Sequence, residues 1–554
     1  MLIKGLRYFI LLFVILLAVN SFAQHEYPIY WIQFTDKSNT PYSIDQPEDF
    51  LSQRAIDRRN RQQIGISADD LPVDPVYLDS LAGLGARIIN ISKWFNGVLA
   101  EIESSELVEG IEMLSFIQGS PLLVKPVATD KRVSRISGKF DPCKGMADSI
   151  YGLSLYQVEM LNGNTLHEQG YRGEGMLVAV MDAGFTNANQ ISSLQHIWED
   201  GRILAVRDFV KDGLDIFNSH DHGTKVFSII GGKGEQVLYG SAPEAEFMLL
   251  RTEDGLSEYI IEEYNWIAGI EFADSLGADV VNSSLGYSIF DTAFQNHSYE
   301  DMDGHTVPVS RAAYMAAQRG MLIVTSAGNS GRDDWYYITA PADAEDILAV
   351  GATDPEGEVM DFSSRGPSYD GRIKPDICAQ GYRTIAQHPE GQFIYCAGTS
   401  CSAPVIAGMV ACLWQAMPQE TNKSIIEYVK RSGSRYLDPD GDYGYGIPGF
   451  LKSAGMINEK LRSTANDKSM FTVFPNPTRD ELFLSMNTPA ETSYQEITLS
   501  ISDMSGRKIF TEEQAIANEI FAISLQGVPE LASGLYKLII LYGEETHSVL
   551  FSKF

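Results

Sequence analysis

Between Tyr151 and about Lys460, short apolar runs alternate with longer stretches of helical periodicity, and this alternation leaves the chain few architectures. Leu177–Met181, Glu246–Arg251, Asp279–Asn282, Leu322–Ser326, Ile347–Ala352 and Phe393–Ala397 read as strands. Ser257–Leu276, Val309–Arg319, Ser402–Met417 and Lys423–Arg431 read as helices. Apolar strands that alternate with helices pair in parallel, because the crossover helices cover both faces of the sheet. The expected fold class over residues 151–462 is therefore α/β, a mostly parallel sheet with helices on both faces.

The flanks follow other patterns. Lys4 and Arg7 precede the apolar run Tyr8–Val19, and Ser21 and Ala23 are small residues placed for signal-peptidase cleavage. That run is 12 residues long, against the ~20 a spanning helix needs, so residues 1–23 read as a signal peptide. No later run is expected to span a membrane. Residues 24–128 read as a small α+β unit. It has a strand at Tyr30–Phe34, a helix at Asp49–Gln62, a hairpin over Ala86–Glu103 turning at Asn96-Gly97, and a helix at Ser104–Leu114. Arg54, Arg58, Arg59 and Arg61 fall on its first helix and read as a solvated face or a processing site. Residues 129–150 read as a linker, and residues 466–554 as a small β-sandwich of short strands broken by Asn, Pro, Gly and Ser. The chain carries 73 acidic against 42 basic residues, a net charge of −31. That excludes the basic face that nucleic acid or an anionic membrane requires. The five cysteines, Cys143, Cys378, Cys396, Cys401 and Cys412, show no zinc-ligand spacing; export would permit disulfides, an odd count leaves at least one free or paired elsewhere, and Cys396, Cys401 and Cys412 read as small buried apolar residues.

Chemistry concentrates at four strand–helix junctions. Asp182 ends the run Leu177–Met181, at the carboxyl end of a parallel strand where such sheets place their sites. His222 opens a helix in Asp221-His222-Gly223-Thr224; His220 is its competitor, and the two as a metal pair lack a third ligand at helical spacing. Ser400 follows Gly398-Thr399 and precedes a helix whose unpaired N–H groups favour an anion; Pro404 falls in its opening turn. Asn329 lies in Ala327-Gly328-Asn329-Ser330, just after a strand. Any one of them alone is an ordinary capping or turn residue. Together they provide a nucleophile, a base, a group to orient the base and an oxyanion donor, which is what acyl transfer through serine requires.

The runs Leu177–Gly184, His222-Gly223-Thr224, Asn282-Ser283-Ser284-Leu285-Gly286, Ala327–Ser330 and Gly398-Thr399-Ser400-x-x-Ala403-Pro404 resemble the subtilisin-like serine proteases, in that family's order Asp, His, Ser. The resemblance implies a secreted serine endopeptidase acting on proteins or peptides. Asp182 would orient His222, His222 would act as general base, Ser400 as nucleophile and Asn329 as oxyanion donor. Ser284, Leu285 and Gly286 would pair with substrate backbone, with Ala327 and Gly328 beside them. Activity is expected to fall as His222 protonates, near its reference pKa of ~6.5 or somewhat shifted from it. Ala183, Lys225, Phe227, Ser228, Cys401 and Ser402 depart from the usual family residues and leave specificity open. Residues 24–128 resemble the pro-region of such proteases. Residues 466–554, through Val473–Thr478, Ser502–Arg507 and Leu531–Tyr536, are similar to the sorting domains of Bacteroidetes proteins exported by type IX secretion. That implies passage through the periplasm and across the outer membrane to the surface or the medium. No cofactor is expected; bound calcium is common in the family, but no Asp-rich loop assigns it. The alternative from another class is a catalytically silent surface or adhesive protein on the same fold. An esterase is disfavoured because Ser402 replaces the last glycine of Gly-x-Ser-x-Gly.

Overall fold

The computed structural model describes residues 27–124, 149–211, 215–234 and 236–464. Of the C-terminal unit it describes 471–474, 482–486, 495–504, 506–516, 520–523, 531–543 and 545–553. The expected signal peptide 1–23, most of the linker 129–150 and Cys143 lie outside these residues.

The central sheet has seven strands in the order Ile377–Gln380, Leu348–Thr353, Leu322–Ser326, Val280–Ser283, Leu177–Asp182, Glu246–Arg251 and Ile203–Asp208. Every neighbouring pair is parallel. Alternate residues of one strand enter opposite cores, as a period of two dictates. Val178 and Val180 join the cluster beneath the helices His222–Gly231 and Thr399–Ala416. Leu177, Ala179 and Met181 join the one beneath Ile261–Leu276 and Pro308–Gln318. This double burial explains why the strands read as unbroken apolar runs.

Several sequence expectations shift. Phe393–Ala397 is no part of the main sheet; it pairs antiparallel with Tyr382–Gln387 across a tight turn at Gly391, whose φ is +96°. Ile203–Asp208 and Ile377–Gln380 were not expected. The first is an edge strand with no fully buried residue whose apolar run is only four residues long, Ile203–Val206, and the second is only four residues long. The helix expected from Ser257 begins at Ile261, leaving Glu253–Ile260 as a loop over the site. The helix Thr399–Ala416 is long and apolar enough to cross a membrane, contrary to expectation, yet it is mostly buried within the protein as a core helix.

The N-terminal unit is an antiparallel sheet in the order Arg87–Ser92, Gly97–Glu101, Ile29–Phe34 and Ile117–Gly119, with Leu122–Val124 also paired to Ile29–Phe34. A helix at Pro75–Leu84, unforeseen because Gly83 and Gly85 dilute its pattern, completes it. Its Trp94 enters the core of the large domain, and Ser92 and the Lys93 and Trp94 N–H groups hydrogen-bond Glu271. The arginine helix is not a solvated face. Arg58 and Arg59 are about 1% exposed, and both pair with Asp274 of the large domain; Arg59 also pairs with Asp70, which Arg319 holds from the other side. Buried guanidinium groups need such partners, because an unpaired one carries its full desolvation cost.

The C-terminal strands form two antiparallel sheets, one of three strands and one of four. Phe471, Val473, Leu482 and Leu484 from one sheet share a core with Ile497, Leu499, Ile501, Leu538, Ile540 and Phe551 from the other, which makes a β-sandwich.

Candidate active site

The order of the sheet reverses between Leu177–Asp182 and Val280–Ser283, and ligands of open α/β sheets bind at that switch point, outside the carboxyl ends of the strands. Asp182, Ser284 and the segment Ala327–Asn329 all emerge there.

Asp182 is fully buried. Its oxygens lie 2.8 and 3.0 Å from His222 Nδ1, and Oδ1 also accepts the Ala183 N–H at 2.8 Å. His222 is the first residue of its helix. Gly223 permits this approach: a Cβ there would sit 2.8 Å from the Asp182 Cβ and 2.5 Å from the Gly184 oxygen. His220 Nδ1 accepts the His222 N–H at 3.2 Å, so the neighbouring imidazole braces the start of the helix. Burial pulls the His222 pKa down, but the charge of Asp182 and its hydrogen bond outweigh this and raise it to about 9, well above the ~6.5 expected. With its Nδ1 proton given to Asp182, the ring presents Nε2 as the basic nitrogen.

Ser400 is the second residue of the helix Thr399–Ala416, which begins at Thr399 rather than at the expected Ser402. Gly398 precedes it at φ +143°, a conformation side chains rarely adopt. Pro404 lies beyond the opening turn, not within it. Lacking an N–H, it leaves the Ser400 carbonyl without its helical partner, and the Ser284 hydroxyl donates to that carbonyl at 3.2 Å. The Ser400 hydroxyl in turn donates to the Ser284 carbonyl at 3.2 Å. Sequence reading assigned Ser284 to substrate backbone and missed this reciprocal clasp, for which only Pro404 four residues after the serine gave a signal.

Asn329 accepts the Thr399 N–H at 2.8 Å and the Thr399 hydroxyl at 3.1 Å, both through Oδ1. That fixes the amide with Nδ2 as its available donor. A cleft of about 560 Å³ joins Ser400, Asn329, Gly328, Ser284, Leu285 and Gly286. Ala327 does not line it; it is buried with Ile338, Ala342 and Ala349, and it donates its N–H to the Val350 carbonyl. Cys378, Cys401 and Cys412 are buried and Cys396 is half-buried; all four are free thiols.

Comparison with known proteins finds relatives for three regions of the chain. Residues 173–446 match the subtilase family, residues 29–137 the peptidase S8 propeptide domain of Bacteroidota, and residues 472–551 the secretion system C-terminal sorting domain. Serine protease AprX of Bacillus subtilis is 29% identical over 333 residues, covering 55% of this chain and 70% of its own length. An alkaline protease of Shouchella clausii is 27% identical over 349 residues, covering 63% of this chain and 80% of its own. Subtilisin E of Bacillus subtilis is 26% identical over 296 residues, covering 53% and 69%. The chain is a serine protease of the subtilase family, built from a Bacteroidota S8 propeptide domain, a peptidase S8 domain and a C-terminal secretion sorting domain.

Proposed function

We propose that this exported protease cleaves peptide bonds within proteins through an acyl-enzyme on Ser400. The observation that carries the reading is the buried Asp182 carboxylate bonded to His222 Nδ1 at the carboxyl end of the central strand, beside the cleft that holds Ser400. When a peptide enters, the Ser400 hydroxyl leaves the Ser284 carbonyl and gives its proton to His222 Nε2 as its oxygen attacks the scissile carbonyl. Asp182 stabilises the imidazolium that forms. The oxyanion is met by Asn329 Nδ2 and the Ser400 N–H, fixed donors that need no reorganisation. His222 then protonates the leaving amine, and water, deprotonated by the same nitrogen, releases the acyl group. Leu285 and Gly286 offer backbone to the extended substrate.

The sorting unit, residues 466–554, is the part read by the type IX secretion machinery, and the chain reaches it through the periplasm. The unit of residues 24–128 acts as a pro-region: its buried ion pairs with Asp274 support docking on the protease domain. No cofactor takes part.

Secreted protein freed of the N-terminal unit is expected to hydrolyse casein and to be labelled by a fluorophosphonate probe. Ser400→Ala should remove both activities, and labelling that persists in this variant refutes the assignment of the nucleophile.

A further inference from the structure

Apart from the catalytic groups, one cluster of ionisable side chains stands at the edge of the substrate cleft. Glu253, Glu258 and Glu262 each bring a carboxylate oxygen within 4.8 Å of the others. Glu253 and Glu258 come from the loop after Glu246–Arg251, and Glu262 from the first turn of Ile261–Leu276. Glu258 lines the cleft together with Ser284, Leu285 and Gly286.

Two buried polar atoms at this cluster lack partners. Glu262 is about 1% exposed; one of its oxygens accepts the Asp254 N–H at 3.1 Å, and Oε2 has no partner. Tyr287 is fully buried, its hydroxyl has no partner, and the carboxylates acting on it are those of Glu253, Glu262, Glu258 and, last, Glu263. Among the described residues neither Glu253 nor Glu262 is ion-paired with Lys, Arg or His. Burial, reinforced by Asp182, pushes Glu253 up to about 7, and burial with Glu253 and Glu258 raises Glu262 well above the carboxylate range. Three converging carboxylates with these neighbours are a place for a positive charge.

We propose that this cluster is a subsite for an ammonium group of the peptide substrate, carried by a lysine side chain or by a free N-terminus; this rests on the reading of the cleft as the substrate channel of a serine protease. An ammonium has three donors, one for each of the three carboxylate oxygens that lie within 4.8 Å of one another. A guanidinium is planar and prefers two oxygens of one carboxylate. Calcium takes six to eight oxygens, so it would need bidentate carboxylates or water in addition to these groups. The rest of the cleft agrees in sign, since Asp333 and Asp334 line it and no Lys, Arg or His does.

The test uses hexapeptides with one lysine or its neutral counterpart norleucine walked along the chain, each with a free or an acetylated N-terminus. Affinity is measured by fluorescence anisotropy on secreted protein carrying Ser400→Ala, and turnover on the wild type. The expected result is about tenfold or greater preference for one charged peptide over its neutral partner. That preference should vanish in Glu258→Gln and in Glu262→Gln while the neutral peptide binds as before. A preference that survives acetylation assigns lysine; one that acetylation removes assigns the N-terminus. Equal binding of charged and neutral peptides, or a preference retained in both Gln variants, overturns the proposal. So does calcium that raises the melting temperature of the wild type but not of Glu262→Gln, since the cluster is then a metal site. Turnover tests the protease reading separately: a wild type that prefers the charged peptide yet cuts none refutes the role of Ser400 and leaves the subsite standing.

Discussion

Replacing Asp182 by Asn should move the pH dependence of the enzyme in a direction that follows from the site. In the wild type, His222 is held charged up to about 9 by Asp182, against an ordinary value of 6.5. That rise corresponds to about 3 kcal/mol in favour of the charged ring. Only the neutral ring accepts the serine proton, so at pH 7 roughly one molecule in a hundred is competent in the free enzyme. Plotted against pH, kcat/KM should climb about tenfold per unit from pH 6 and level off near 9. Asp182→Asn removes the charge and the acceptor and leaves burial, which lowers the pKa, so the limb should fall below about 6.5. The plateau should drop by ~10⁴-fold, because the ring loses its orienting partner and the right tautomer. At pH 7 the measured loss is then only ~10²-fold, since nearly every mutant ring is neutral there. The assay is kcat/KM on one fluorogenic peptide from pH 5 to 10 for both proteins. A mutant whose limb stays near 9, or a wild type already level at pH 7, refutes the view that Asp182 holds the charge of His222. Stability follows the same linkage: the pair stabilises the fold fully below pH 6.5, and this contribution is lost as pH rises through about 9.

Asn329→Ala should lower kcat by ~10²–10³-fold with little change in KM, which is the cost of losing the corresponding donor in a subtilisin; a larger effect on KM than on kcat would place Asn329 in ground-state binding. Asp274→Ala leaves the buried Arg58 without a carboxylate and Arg59 with Asp70 alone, and should cost about 3–5 kcal/mol, read as a lower urea midpoint of the full-length chain in a Ser400→Ala background. An unchanged midpoint would mean that the N-terminal unit is not held through these pairs.

What the sequence made legible is what depends on short-range pattern. Strands buried on both faces are apolar over most of their length, so Leu177–Asp182 and Leu322–Ser326 announced themselves as apolar runs. Asp182, His222 and Ser400 could be assigned because each stands where such a run or a helix begins or ends. Arg58 and Arg59 could not be read correctly. An arginine beside an arginine on a helix looks solvated until a carboxylate arrives from more than two hundred residues away, as Asp274 does. The pairing of Asp182 with His222, forty residues apart, was legible because both stand at such junctions, whereas the size of its effect on the His222 pKa depends on the 2.8 Å contact and the burial around it.

The loop Glu253–Ile260 shows how one helix boundary decides what can be inferred. Read as helix from Ser257, Glu258 and Glu262 are an i, i+4 pair of like charges that would repel on a solvated face. The structure starts the helix at Ile261, and the reason is local: the Ser257 N–H turns back to the Asp254 carbonyl, and the Asp254 N–H goes to the Glu262 side chain. Glu262 thus caps the loop while its second oxygen stays buried and unpartnered. The repulsion that a helix would have spread into water is instead concentrated beside the cleft, on the same side of the sheet as Asp182. Glu253 and Glu262, neither of them ion-paired among the described residues, are left to be neutralised by protons or a ligand.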